Sequence, residues 1–218
     1  MSGRSVYTAF QAAAGRFGQR PFLRTPAISA ASYAGDAIEY TYESAQARVN
    51  ALLSSYAARD LQAGQRVALA FDARLEVYLH LLALNALGVS VVPLNAGASD
   101  EELRHIIGHS DSRFAVSLPE HSARLAGLDI CEVITEDDLF DSSAEPVCAD
   151  PDLNREAALL YTSGTTGKPK GCMLSNEYFL AIGEWYIGLG GICSLDEHDR
   201  LLTPLPPNHM NALCTVSY

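Results

Sequence analysis

An α/β fold, with mostly parallel sheets flanked by helices, is what the order of apolar segments in this chain predicts. Three observations carry that prediction. Four short β-prone runs, RVALAF (66–71), VSVVPL (89–94), RFAVSL (113–118) and CEVIT (131–135), alternate with helical patterns, and strands separated by helices pair in parallel. The segment between the first two runs, LEVYLHLLALNAL, is apolar nearly all round, as a helix lying on a large sheet should be. A hydrophobic content of 48% over 218 residues supplies a sizeable core, in one large domain or one and a half ordinary ones.

At the start of the chain, Val6, Phe10, Ala13, Ala14 and Phe17 fall near helical spacing, a stripe that packs on a domain. The same region carries Arg4, Arg16, Arg20 and Arg24 and no acidic residue before Asp36, which is also the composition of a mitochondrial transit peptide; the apolar stripe favours the packed helix. IEYTYESAQARVNALLSSYAARDLQAG reads as a short strand and then a helix with Val49, Leu52, Leu53 and Tyr56 on one face, closed by Gly64. Ser99 and Glu102 have the spacing of a capping box opening the helix EELRHIIGH. From Glu136 to Arg155 the chain turns acidic and irregular, and the strand AALLYT follows. The expected organisation is therefore a first α/β subdomain over 1–135, an acidic linker over 136–155, and from 156 to 218 a loop-bearing segment with the start of the next α/β subdomain. No internal repeat interrupts it.

The formal net charge is −11, from 15 basic and 26 acidic residues, which argues against nucleic acid or an anionic membrane held through a general basic surface. Any bound anion must be held locally. Cys131, Cys148, Cys172, Cys193 and Cys214 have no metal-ligand spacing; they read as reduced structural thiols of a cytoplasmic protein without a resident metal site. The longest apolar region, VYLHLLALNALGVSVVPLN, is broken by His80, Asn85 and Pro93. It reads as a buried helix and a strand, and no transmembrane segment is expected.

One loop stands apart. YTSGTTGKPKG (161–171) holds four Ser/Thr hydroxyls, three glycines and two lysines in eleven positions, directly after an apolar strand. Such a loop is a phosphate cradle, because closely approaching N–H and O–H groups point at the anion and lysine supplies charge. It is not a Walker A loop: Gly164 and Gly167 enclose two residues where that motif needs four, and Pro169 follows Lys168. The dinucleotide fingerprint G-x-G-x-x-G is absent as well, since GLGGIC fails at its last position.

The loop does match, position for position, the signature of the adenylate-forming superfamily of acyl- and aryl-CoA synthetases, luciferases and peptide-synthetase adenylation domains. The continuation GCMLSNEYF resembles that family's run into a helix. QAAAGRFGQRPFL, LNALGVSVVPLNAGASDEELRHIIGHSDSRFAV and RLLTPLPPNHMNAL resemble its first helix, second core motif and fourth motif, in the family's order. The resemblance implies ATP-dependent activation of a carboxylic acid to an acyl-adenylate, then thioester formation with coenzyme A. It implies that Thr162, Ser163, Gly164, Thr165, Thr166 and Gly167 hold the ATP phosphates, that Lys168 and Lys170 add charge, and that Mg²⁺ accompanies the nucleotide. It further places His209, with Met210 and Asn211, at the acyl and adenylate site, while His80, His105 and His109 are read as structural or exposed.

The family's Y-G-x-T-E run, T-G-D aspartate, hinge and late catalytic lysine have no counterpart here, and Tyr218 falls inside the apolar run NALCTVSY. The expectation is an N-terminal portion of the large domain, truncated, with the C-terminal lid domain absent, no certain catalytic residue within it, and inactivity on its own. Two alternatives stay open: a carrier-protein thiol as acceptor, and a short nucleotide- or partner-binding protein without catalysis. PLPPNHMNAL leans toward the CoA ligases; the acid is not named by the sequence, and homodimerisation is left open.

Overall fold

The computed structural model describes residues 3–139, 144–162, 168–191 and 195–217. Helix α1 (Val6–Phe17) opens the chain and buries Val6 and Phe10 of the expected stripe together with Tyr7, while Ala13, Ala14 and Phe17 are partly buried. Its last turns pack on a two-stranded antiparallel sheet of β1 (Pro21–Thr25) and β2 (Ile38–Thr41), through an aromatic cluster of Phe10, Phe17, Phe22 and Tyr42. A short helix α2 (Ala27–Ala30) lies between these strands. β1 is not foreseen from sequence, because its Pro21 and Arg24 dilute the period-two pattern. Helix α3 (Tyr42–Ala57) follows and buries Val49, Leu52, Leu53 and Tyr56. It ends before Gly64, so that glycine does not close it; with φ of +88°, Gly64 instead makes the turn into the next strand, a conformation glycine adopts without penalty.

The six-stranded sheet that follows has the order β6-β5-β3-β4-β7-β8. β3 (Arg66–Ala70), β4 (Ser90–Pro93), β5 (Ser112–Ser117), β6 (Glu132–Thr135) and β7 (Glu156–Thr162) run parallel. β8 (Lys170–Ser175) closes one edge antiparallel to β7. Alternation sorts the strand residues onto two cores. Val67, Leu69, Phe71, Val91, Phe114 and Val116 face one helical layer. Ala68, Ala70, Val92, Ala115 and Leu159 face the other, with Leu103, Ile106, Ile107 and Leu125. Helix α4 (Glu76–Ala86) is buried from Val77 through Ala86, between α1, α3 and the sheet, which explains why it is apolar all round. Helices α5 (Asp100–Ser110) and α6 (Pro119–Ala126) cover the opposite face. Ser99 caps α5 by accepting from the N–H of Glu102 at 3.2 Å; the returning bond from the Glu102 side chain is not formed, so only half of the expected capping box exists.

The acidic segment 136–155 leads from β6 at one edge to β7 beside β4, so it is not a boundary between sheets, and the strands before and after it share one. Its first residue turns inward. Glu136 lies 3.1 Å from Arg48 and 3.8 Å from Nε2 of the fully buried His80, whose Nδ1 is hydrogen-bonded to the Tyr56 hydroxyl at 2.6 Å. Helix α7 (Asn176–Gly188) and the short α8 (Met210–Leu213) follow β8, and short 3-10 turns lie at Glu136–Leu139 and Cys214–Ser217. Cys131, Cys148, Cys172 and Cys214 are free thiols; Cys193 lies outside the described residues. Among the described residues no helix is long and apolar enough to cross a membrane.

Two buried asparagines tie these layers together. The Oδ1 of Asn176 accepts from the Val6 N–H at 3.0 Å and from the Asn85 amide at 2.8 Å, and its own amide donates to the Asp152 carbonyl at 2.8 Å. Asn85 Oδ1 accepts from the Tyr7 N–H at 3.0 Å. Ser5 accepts from Thr8 N–H while Thr8 accepts from Ser5 N–H, so every free donor at the start of α1 has a partner. Asn176→Ala would leave two buried donors unpaired, and is expected to cost roughly 2–4 kcal/mol, read as a lower urea midpoint with an unchanged slope.

Burial pushes the His80 imidazole below its ordinary value of 6.5, against the opposing pull of Glu136. A neutral group in the fold that charges more readily when unfolded contributes stability that is full above the unfolded value and lost as pH falls through the folded one. Stability should therefore decline as pH drops below about 6.5, above the carboxylate range, and His80→Gln should flatten that part of the profile. An unchanged slope in the variant would remove His80 as its cause.

Candidate functional site

The phosphate-loop candidate sits on a hairpin at one edge of the large sheet. β7 and β8 pair Tyr161 with Gly171 and Thr162 with Lys170, so the ladder closes just where the hydroxyl- and glycine-rich stretch begins and ends. β7 is the last of the parallel strands, and the loop leaves from its carboxyl end. That is the end at which open parallel sheets present ligands. Of the eight residues assigned to phosphate binding, Thr162, Lys168 and Lys170 are described and all three are exposed. Ser163, Gly164, Thr165, Thr166 and Gly167 lie outside the described residues. The stem explains one glycine: a Cβ at Gly171 would stand 3.0 Å from Leu159 Cδ1 and 3.4 Å from Tyr161 Cζ, because those side chains cross over its Cα.

Beyond the hairpin the chain enters α7 with its direction fixed. Ser175 caps the helix by accepting from the Tyr178 N–H at 3.2 Å, and Asn176 anchors its first turn to α1 and α4. At the base of β7, Arg66 holds Glu156 with two bonds of 2.7 and 2.8 Å and donates to the Ser110 carbonyl at 3.0 Å. The hydrogen bonding of Arg66 to Glu156 is the main influence that raises the guanidinium above its ordinary value, and together with the bond to Ser110 it clamps β3, β7 and the end of α5.

Two residues that sequence reading left without a role reach the hairpin. His105 Nε2 lies 3.1 Å from the Pro169 carbonyl, and His109 Nδ1 lies 2.7 Å from the Tyr161 hydroxyl. The signal for them was the i, i+4 spacing of two polar rings on one amphipathic helix, which cannot say what the ring pair faces.

His209, Met210 and Asn211 are gathered at the start of α8, all three exposed. His209 is the N-cap of that helix. The helix is seated by the Tyr78 hydroxyl, which donates to the Ala212 carbonyl at 3.0 Å. Among the described residues, no side-chain hydrogen bond or ion pair joins these three to the hairpin. Two clefts among the described residues lie elsewhere: one at the amino-terminal ends of β3 and β5, around Arg66 and Arg113, and one between α1 and the 148–155 segment. Neither borders the loop. Among the described residues no three His, Cys, Asp or Glu side chains cluster as a metal site.

Residues 10–218 match the family described as AMP-binding enzyme. The chain belongs to that family. It is 34% identical over 176 residues to the sulfoacetate–CoA ligase of Cupriavidus necator, a match covering 75% of this chain and 34% of the ligase. It is 29% identical over 184 residues to surfactin synthase subunit 2 of Bacillus subtilis, covering 82% of this chain and 5% of that protein. Among solved structures, the O-succinylbenzoate coenzyme A synthetase of Bacillus subtilis, determined with ATP and a magnesium ion, superimposes with a TM-score of 0.79 at 26% identity, over 96% of this chain and 53% of that one. The AMP-binding chain thus spans about a third of that curated ligase and about half of the solved synthetase. Its α/β fold, a mostly parallel sheet flanked by helices, matches the N-terminal domain of adenylate-forming enzymes.

Proposed function

We propose that this chain carries the ATP-phosphate site of an AMP-forming acid–CoA ligase. The observation that carries the reading is the hairpin: a stretch rich in hydroxyls and glycines, followed by Lys168 and Lys170 and set at the carboxyl end of the last parallel strand. In the first half-reaction a carboxylate oxygen attacks the α-phosphorus of ATP; the bond to the β-phosphate breaks and pyrophosphate leaves. Negative charge grows on the departing group. Donors already aimed at the β- and γ-phosphates stabilise that charge without reorganising. Thr162, Ser163, Gly164, Thr165, Thr166 and Gly167 are proposed as those donors, with Lys168 and Lys170 as the cations and Mg²⁺ arriving on the nucleotide. In the second half-reaction the thiol of coenzyme A attacks the acyl carbonyl, AMP leaves with the electron pair of the C–O bond, and the thiol proton passes to a base or solvent.

His209, Met210 and Asn211 are proposed to border the acyl group. Their exposure at the start of α8 supports this, since it leaves them free to line a pocket completed by other residues of the whole protein. Similarity to a surfactin synthase subunit favours a second acceptor, a carrier-protein thiol, for the same first half-reaction.

Pyrophosphate exchange into ATP, run on the whole protein with a panel of carboxylic acids, tests the proposal. Thr165→Ala and Thr166→Ala are each expected to slow exchange about 100-fold while sparing thioester formation from a supplied acyl-adenylate, because their bonds go to a group that leaves in the first step only. In the same assay His209→Ala should change the KM for the acid and leave that for ATP. Equal loss of both half-reactions in the threonine variants, or robust exchange by these 218 residues alone, would contradict the assignment.

A further inference from the structure

We propose that His105 and His109 are positioning residues for the phosphate loop, holding the two ends of its stem from the adjacent helix. This rests on the loop reading above and adds to it how the loop is aimed. Pro169 stands between Lys168 and Lys170, one residue outside the ladder that ends at the Thr162–Lys170 pair. It has no N–H to give, and its carbonyl takes up the His105 ring at 3.1 Å. A carbonyl only accepts, so Nε2 of His105 carries the proton. On the opposite strand, Tyr161 precedes the loop by one residue, and its hydroxyl is bonded to His109 at 2.7 Å. The rings form one cluster: His105 and His109 have centroids 5.4 Å apart, and Tyr161 meets both edge-on, at 6.4 and 5.8 Å.

The pair is not part of the core that holds α5. That work falls to Leu103, Ile106 and Ile107, which are buried against the sheet, whereas His105 is half-buried and His109 exposed. Their polar atoms are directed at the hairpin. By fixing the main chain between the two lysines on one side and the last aromatic of β7 on the other, they set where both strands release the loop. A shift of about 1 Å at such a base is enough to cost up to roughly 100-fold in a reaction that depends on alignment.

The test uses His105→Ala, His105→Gln, Tyr161→Phe and Thr165→Ala in the whole protein, with MgATP as the probe. His105→Ala is expected to slow pyrophosphate exchange about 10- to 100-fold while thioester formation from supplied acyl-adenylate stays within about twofold. Tyr161→Phe should act in the same direction. His105→Gln keeps an N–H that reaches the carbonyl and should restore most of the rate. Equal slowing of both half-reactions by His105→Ala, or no rescue by glutamine, would reduce His105 to a stabilising side chain and overturn the inference. If Thr165→Ala slows exchange and His105→Ala does not, the positioning role alone falls. If neither slows it, the phosphate-loop reading falls and takes this one with it.

Discussion

The hydrogen bonds of two buried amides, Asn85 and Asn176, hold the rest of this structure in place. Asn85 lies on α4 inside the main core, Asn176 at the first turn of α7 just past the loop hairpin; they are bonded to each other and accept two of the free N–H groups of α1, those of Tyr7 and Val6. A buried amide without partners is costly, so these three helices can assemble only in the arrangement that completes the network. That is directional information which apolar packing alone does not supply. It also reaches the site, because Asn176, which accepts from the Val6 N–H of α1, directly follows Ser175, the last residue of β8.

From that anchor the position of the loop follows by geometry. β7 is held beside β4 in the sheet and clamped to β3 through Arg66 and Glu156, so its carboxyl end lies on the same side as those of the other parallel strands. Alternation along β7 then sends Leu159 and Tyr161 to the face covered by α5. A net charge of −11 over the chain repels a polyphosphate at long range, which is why the proposed phosphate role falls to the local cations Lys168 and Lys170. Membership in the AMP-binding family fits a parallel sheet whose edge hairpin carries a hydroxyl-, glycine- and lysine-rich sequence.

Much of the fold was legible because its signals are local. The four runs between 66 and 135 form strands, the all-round apolar α4 is buried, and of the stripe on α1 Val6 and Phe10 are buried while Ala13, Ala14 and Phe17 are partly so. What was not legible depends on tertiary contact. Gly64 stands near the end of a helical pattern, and only the structure tells that the helix has already ended at Ala57. Glu136 opens an acidic, linker-like run, yet burial beside His80 and Arg48 makes it an interior charge. The loop could be read from eleven residues because its chemistry is consecutive in sequence. His105 and His109 could not, since 52 residues separate His109 from the tyrosine it holds.

The central claim is that the Tyr161–Gly171 hairpin is where ATP is held. Amide hydrogen exchange on the whole protein, followed by mass spectrometry with and without saturating MgATP, tests it most directly. The account predicts that MgATP slows exchange in the peptide spanning 160–171. Unchanged exchange there, with slowing confined to the cleft around Arg66 and Arg113 or to any other element, would contradict it.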